Sequence, residues 1–185
     1  MDLFDGFNRE VSPTSVRPFN SFIMNKVYLT WQEVEKLIVS LIPQLQSQDF
    51  DAVLAITRGG VVPGGIIAER LGITKVLVAS VDFYSDEQHD LDWPVLMQFP
   101  VDSLLRDEHI LIVDDVWDRG KEIISIKERV EQAGGAAQTF VLHYKPHRSL
   151  FPDAAPDYYT SITEDWIIYP WEIDRANYGL RKAGS

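Results

Sequence analysis

The sequence predicts an α/β fold, a doubly wound and mostly parallel sheet flanked by helices, and three observations predict it. From residue 51 to residue 144 short apolar runs alternate with segments of helical period, and such units connect most simply as parallel strands with helical crossovers. Two of the apolar runs lead into turns carrying glycine and charge, at residues 57–65 and 114–122, which is where open α/β sheets collect ligands. The chain has 185 residues, 45% hydrophobic and 24% charged, enough for one domain with a buried core.

Residues 1–25 mix Asp, Asn, Ser, Pro and scattered Phe without either period and read as a flexible extension, with the domain proper over 26–185. A first helix follows, since Thr30 with Glu33 makes a capping box and Val34, Leu37, Ile38, Leu41, Ile42 and Leu45 share one face. A strand at 51–56 enters Thr57-Arg58-Gly59-Gly60, which is either a plain turn before a helix at 63–71 or a set of backbone N–H groups gathered around an anion. Gly72 stops that helix, and residues 75–83 alternate as a strand. The polar stretch 84–93 reads as a surface loop, serving as a lid or as a long hairpin connection. Ile110-Leu111-Ile112-Val113 forms a buried strand with Asp114 and Asp115 at its end. A helix begins near Glu122, its inner face Ile123, Ile126, Val130 and Ala133, and stops at Gly134-Gly135. Residues 139–144 and 166–169 complete the strands, and the aromatic density after residue 151 suits either core packing or a flat ligand surface.

The acid pair beside a helix start combines acceptors for hydroxyl groups with an attraction for anions. A phosphorylated sugar satisfies both. A net charge of −11 lacks the broad positive field of nonspecific nucleic-acid binding. A polyphosphate must therefore be met locally, by placed Arg and Lys, backbone N–H groups and a divalent metal. The absence of cysteine excludes disulfides, thiolate metal sites and a Cys nucleophile. No apolar run nears the ~18 residues of a membrane span and no signal-peptide pattern opens the chain. The expectation is a cytoplasmic protein with neither membrane nor nucleic-acid partners.

Three segments resemble the type I phosphoribosyltransferases, and within them the xanthine-guanine and hypoxanthine branch. Val113-Asp114-Asp115-Val116-Trp117-Asp118-Arg119-Gly120-Lys121 is similar to the family's phosphoribosyl pyrophosphate signature, and Thr57-Arg58-Gly59-Gly60-Val61-Val62-Pro63-Gly64 to its pyrophosphate loop. Lys145-Pro146 with Trp166-Ile167-Ile168-Tyr169-Pro170-Trp171-Glu172 is similar to the purine-binding lysine and aromatic segment. The resemblance implies a small C-terminal hood, Mg²⁺ as cofactor, phosphoribosyl pyrophosphate and a 6-oxopurine as substrates, and a homodimer or homotetramer. Phosphoribosyl pyrophosphate would be held by Thr57, Arg58, Gly59, Gly60, Asp114, Asp115, Asp118, Arg119, Gly120, Lys121 and Glu122, with Asp114 and Asp115 also taking the metal, directly or through water. Asp118 would be catalytic, as general base or acceptor at the purine imidazole nitrogen; its plainer reading is a helix-capping turn residue. Lys145 would donate to the 6-oxygen and reject adenine, Trp166 would stack on the base, and the backbone of Ile167 would meet its Watson–Crick edge. The alternatives are a strand-end lysine and a core tryptophan. Phe83 and Tyr84 stand at the family's Ser-Tyr lid pair, and the Thr57–Arg58 peptide is implied to be cis.

Two departures fall in the phosphate turn, where Arg119 and Glu122 replace hydroxyl residues. Arg119 can substitute with charge, whereas Glu122 repels a phosphate unless it points away or pairs with a cation. The competing expectation is therefore a non-catalytic member that senses nucleotide or phosphoribosyl pyrophosphate.

Overall fold

The computed structural model describes residues 25–86 and 91–172. The extension expected over residues 1–25 thus lies, except for Asn25, outside the described residues. In chain order the elements are β1 (Lys26–Tyr28), α1 (Trp31–Gln46), β2 (Ala52–Ile56), α2 (Val61–Leu71), β3 (Val76–Asp86), β4 (Leu91–Gln98), β5 (His109–Trp117), α3 (Lys121–Gln132), β6 (Ala136–Tyr144), β7 (Tyr158–Ile162) and β8 (Trp166–Ile168). Six strands form the central sheet in the order β4-β3-β2-β5-β6-β7, parallel except for β4, while β1 and β8 pair as a separate parallel ribbon. The fold class read from the sequence is the one observed.

The predicted elements form for the reasons their patterns give. The Thr30 hydroxyl accepts from the Glu33 amide at 3.2 Å and the Glu33 carboxylate accepts from the Thr30 amide at 2.7 Å, a closed capping box. From α1, Val34, Ile38, Ile42 and Leu45 are buried with Val53, Leu111, Val113, Phe140 and Leu142 on one side of the sheet. From α3, Ile123, Ile126 and Val130 are buried with Leu54, Ile112 and Val141 on the other. Gly72 ends α2 at φ 71°, the left-handed cap that glycine adopts without strain.

Three differences have physical causes. The stretch 84–93 is largely strand: β3 continues to Asp86 and pairs antiparallel with β4, which begins at Leu91, at the edge of the sheet. β5 does not stop at Val113 but runs through the acid pair to Trp117, because β6 continues beside it to Tyr144. The hood needs both ends of the domain, since β1 supplies the partner of β8.

Candidate active site

The chain crosses from β3 on one side of β2 to β5 on the other, so the connections reverse between β2 and β5. A crevice opens there at the carboxyl ends of the strands. β2 stops at Ile56 while β5 continues, and residues 57–60 fold back over the surplus. A Cβ on Gly60 would lie 2.0 Å from the Val113 carbonyl oxygen, and one on Gly59 would lie 2.3 Å from Asp115 Cγ. Only glycine lets the loop approach so closely. The Thr57–Arg58 peptide is cis, as the resemblance implied, and Arg58 is exposed. Neither α2 nor α3 carries a side-chain N-cap, which leaves backbone donors at both helix starts for an anion.

Asp114 and Asp115 are neighbours in a strand, so their side chains leave opposite faces. Asp115 is buried among residues of the Trp171–Glu172 turn as well as under Gly59. Burial, followed by the charge of Glu172, raises its pKa to about 6. Burial, followed by the charges of Asp115 and Glu122, holds Asp114 well above the usual carboxylate range. The pair carries uncompensated negative potential, the electrostatic signature of a site that receives a cation or hydroxyl donors.

Beyond the acid pair the strand delivers Asp118, whose Oδ1 accepts from Arg148 Nε. Next to it, one residue past the end of β6, the Lys145 amide donates to the Trp117 carbonyl at 2.9 Å, and the Lys145 side chain is buried. It is not the exposed strand-end lysine of the plainer reading. Trp166 is 50% exposed, so it is not a core residue either. Within β8, Trp166 donates to Asn25 and Ile168 accepts from Leu29, so the alternate residue Ile167 turns its N–H and C=O away from β1. Among the described residues no strand pairs with that edge. Phe83 lies against the turn before α3, with Lys121 Nζ 5.5 Å from its ring centroid; the Tyr84 side chain is outside the described residues. Arg119 and Glu122 are exposed.

A model of the phosphoribosyl transferase domain matches residues 25–176. The chain belongs to the phosphoribosyltransferase family. Among phosphoribosyltransferases, the xanthine-guanine phosphoribosyltransferase of Cereibacter sphaeroides is 31% identical over 153 residues, 79% of this chain and 86% of that one. The xanthine-guanine phosphoribosyltransferase of Vibrio vulnificus is 30% identical over 151 residues, 80% and 90% of the two chains. The crystal structure of a purine phosphoribosyltransferase from Pyrococcus horikoshii superposes with a TM-score of 0.71 at 35% identity, covering 81% of this chain and 96% of that one.

Sequence reasoning missed several residues that shape this phosphoribosyltransferase's crevice. The Tyr169 hydroxyl donates its one proton to the Asp115 carbonyl at 2.8 Å, so His143 Nδ1, 2.7 Å from the same oxygen, must be the donor to it. Burial, then the Lys145 charge, lowers the His143 pKa to about 4, which keeps the ring neutral. Burial and the Asp115, Asp114 and Glu172 charges push the Tyr169 phenol upward. His143 carried no signal, because a lone His inside an apolar strand reads as core. Glu172 stood within the quoted aromatic motif, but only the fold shows its charge acting on Asp115.

Proposed function

We propose that this phosphoribosyltransferase acts in purine salvage, joining a 6-oxopurine to phosphoribosyl pyrophosphate to give a nucleoside 5′-monophosphate and pyrophosphate. The observation that carries the reading is Lys145: it is 4% exposed, and its ammonium has no ion-pair partner among the described residues. A buried cation without an acceptor is destabilising by several kcal/mol. A ligand carbonyl relieves that penalty, whereas an exocyclic amino group sets donor against donor. This favours xanthine, hypoxanthine or guanine over adenine.

The ring nitrogen of the purine attacks the anomeric carbon, the bond to pyrophosphate breaks with its electron pair leaving on the pyrophosphate oxygen, and Asp118 accepts the imidazole proton or its hydrogen bond. The Arg58 and Gly59 N–H groups and the Arg58 guanidinium meet the leaving pyrophosphate, the Thr57 and Gly60 N–H groups being bound to the Ala79 and Ile56 carbonyls. The start of α3, with Arg119 and Lys121, meets the 5′-phosphate. Asp114 and Asp115 accept the ribose hydroxyls and fix the sugar under the base, which Trp166 stacks and Ile167 reads. The donor set suits Mg²⁺: Asp114 and Asp115 are hard oxygen donors with raised pKa values. Mg²⁺ commonly keeps water and takes substrate phosphate oxygens for the rest of its shell. When bound, the ion neutralises pyrophosphate charge.

The test is incubation with Mg²⁺, phosphoribosyl pyrophosphate and each of xanthine, hypoxanthine, guanine and adenine, with nucleotide detected by mass. Nucleotide from at least one 6-oxopurine and none from adenine is expected. Glu122, whose charge bears on Asp114, favours a second reading, a non-catalytic sensor. Binding of phosphoribosyl pyrophosphate without product from any base would establish the sensor instead.

A further inference from the structure

The Arg148–Asp118 pair lies outside the roles assigned so far. Its side chains are 34% and 33% exposed, and a pair at that exposure contributes little to the fold. The surrounding backbone is nonetheless arranged to hold it. Residues 145–149 form a turn closed by bonds to the Lys145 carbonyl from the amides of Arg148, at 3.1 Å, and Ser149, at 3.2 Å. That turn is fastened on both sides of Asp118: Lys145 donates to the Trp117 carbonyl at 2.9 Å and Leu150 to the Arg119 carbonyl at 3.1 Å. A side-chain bond from Trp117 Nε1 to Ser149 Oγ, 3.2 Å, adds a third tie. Arg148 therefore reaches Asp118 from a frame anchored one residue before and one residue after it.

We infer that Arg148 is the positioning residue of Asp118, and that the inference rests on the proposed reaction. Arg148 occupies one carboxylate oxygen, fixes the side-chain rotamer, and leaves the other oxygen to accept from the purine imidazole. A carboxylate held before the substrate arrives loses no rotamer freedom in the transition state, so its orientation acts on the rate. The same turn begins with Lys145. One rigid segment thus sets the spacing between the donor to the 6-oxygen and the acceptor at the imidazole, two groups on one purine.

The test is a double-mutant cycle on the full chain with Arg148→Met, Asp118→Asn and the double variant, plus Arg148→Lys as rescue. Arg148→Met is expected to lower kcat roughly tenfold while the KM for phosphoribosyl pyrophosphate stays within about threefold. Arg148→Lys should recover most of the loss. In the Asp118→Asn background Arg148→Met should add nothing, because a residue acting only through Asp118 has no effect once that carboxylate is gone. A role in holding the loop alone would give additive losses. Additive losses, an unchanged kcat in Arg148→Met, or Arg148→Lys as impaired as Arg148→Met overturns the inference. Circular dichroism checks folding, and Arg148→Gln replaces Arg148→Met in the cycle if the latter does not fold. A wild-type protein that makes no nucleotide removes the proposed reaction and this inference together, whereas an active wild type with additive losses removes the inference alone.

Discussion

The two turns that flank the crevice are built in opposite ways. In residues 57–60 the backbone is pressed onto β5, with Gly59 against Asp115 and Gly60 against Val113. In residues 118–122 the side chains of Arg119 and Glu122 face solvent, and steric constraint is concentrated at Gly120, where φ is 81° and a Cβ would meet the Trp117 ring. In the first turn, packing dictates sequence. In the second, the Arg119 and Glu122 side chains are free of packing, and that is where this chain departs from the family pattern. Divergence is admitted where a side chain can change without moving a strand.

Gly60→Ala should produce the largest effect. Its Cβ would clash with two carbonyl oxygens, of Val113 and Ile56, neither of which can move without bending a central strand. A loss of ~3 kcal/mol or more is expected by chemical denaturation; an unchanged midpoint would break the contrast between the turns. Gly59→Ala meets the end of the Asp115 side chain instead, which can rotate. That variant should fold, with a much smaller stability loss, and lose kcat/KM because Asp115 is displaced. In the open turn, Asp118→Asn should lower kcat by about 10², with thermal stability close to wild type; an unchanged rate would deprive Asp118 of its role.

Ionisation sharpens the same contrast, because the carboxylate under the glycine loop is buried while Arg119 and Glu122 of the open turn are exposed. Asp115 sits at about 6 in the folded chain against an ordinary 3.8, so between those values the folded state binds more protons than the unfolded state. Its contribution to stability is present below about pH 4 and lost as pH rises through 6. His143, lowered from 6.5 to about 4, works the other way, contributing stability that is regained as pH rises across that interval. Asp115→Asn should therefore gain on wild type as pH rises from 4 to 7, by roughly 2 kcal/mol, measured by melts at successive pH values. A difference that does not change with pH would mean that the carboxylate carries no burial penalty. Added Mg²⁺ should raise the wild-type melting temperature more at pH 7.5 than at pH 5, since it competes with protons for the same oxygens.

What could be read from the sequence follows the same division. Long elements with strong periods, α1, α3 and β5, were legible because their burial imposes the pattern. The glycine loop and the acid pair were legible because each is a contiguous run whose chemistry depends on adjacency. The short β1, the arm strand β4 and β7 were not, since strands partly or wholly bathed in solvent need no apolar alternation. Nor were the contacts made by Arg148 or Tyr169. Arg148 is 30 residues from Asp118 in sequence, and Tyr169 is 54 residues from Asp115; such pairs exist only once β5, β6 and the hood lie side by side.

The smallest expected effect tests whether the open turn is merely tolerant or specialised. Glu122 is in the first turn of α3, where a negative side chain favours the helix by about 0.3–1 kcal/mol, and it makes no ion pair among the described residues. The same charge opposes a phosphate arriving at that helix start. Glu122→Thr should therefore move stability and ligand binding in opposite directions: a loss of ~0.5 kcal/mol in denaturation, and a KM for phosphoribosyl pyrophosphate about threefold lower, since removing repulsion of about 0.7 kcal/mol changes an equilibrium by that factor. Turnover should be unchanged, because the proposed reaction gives Glu122 no role at the purine. A rise in KM would reverse the argument. It would mean that Glu122 serves the ligand through its acidity, and that the turn has been rebuilt for a different set of contacts.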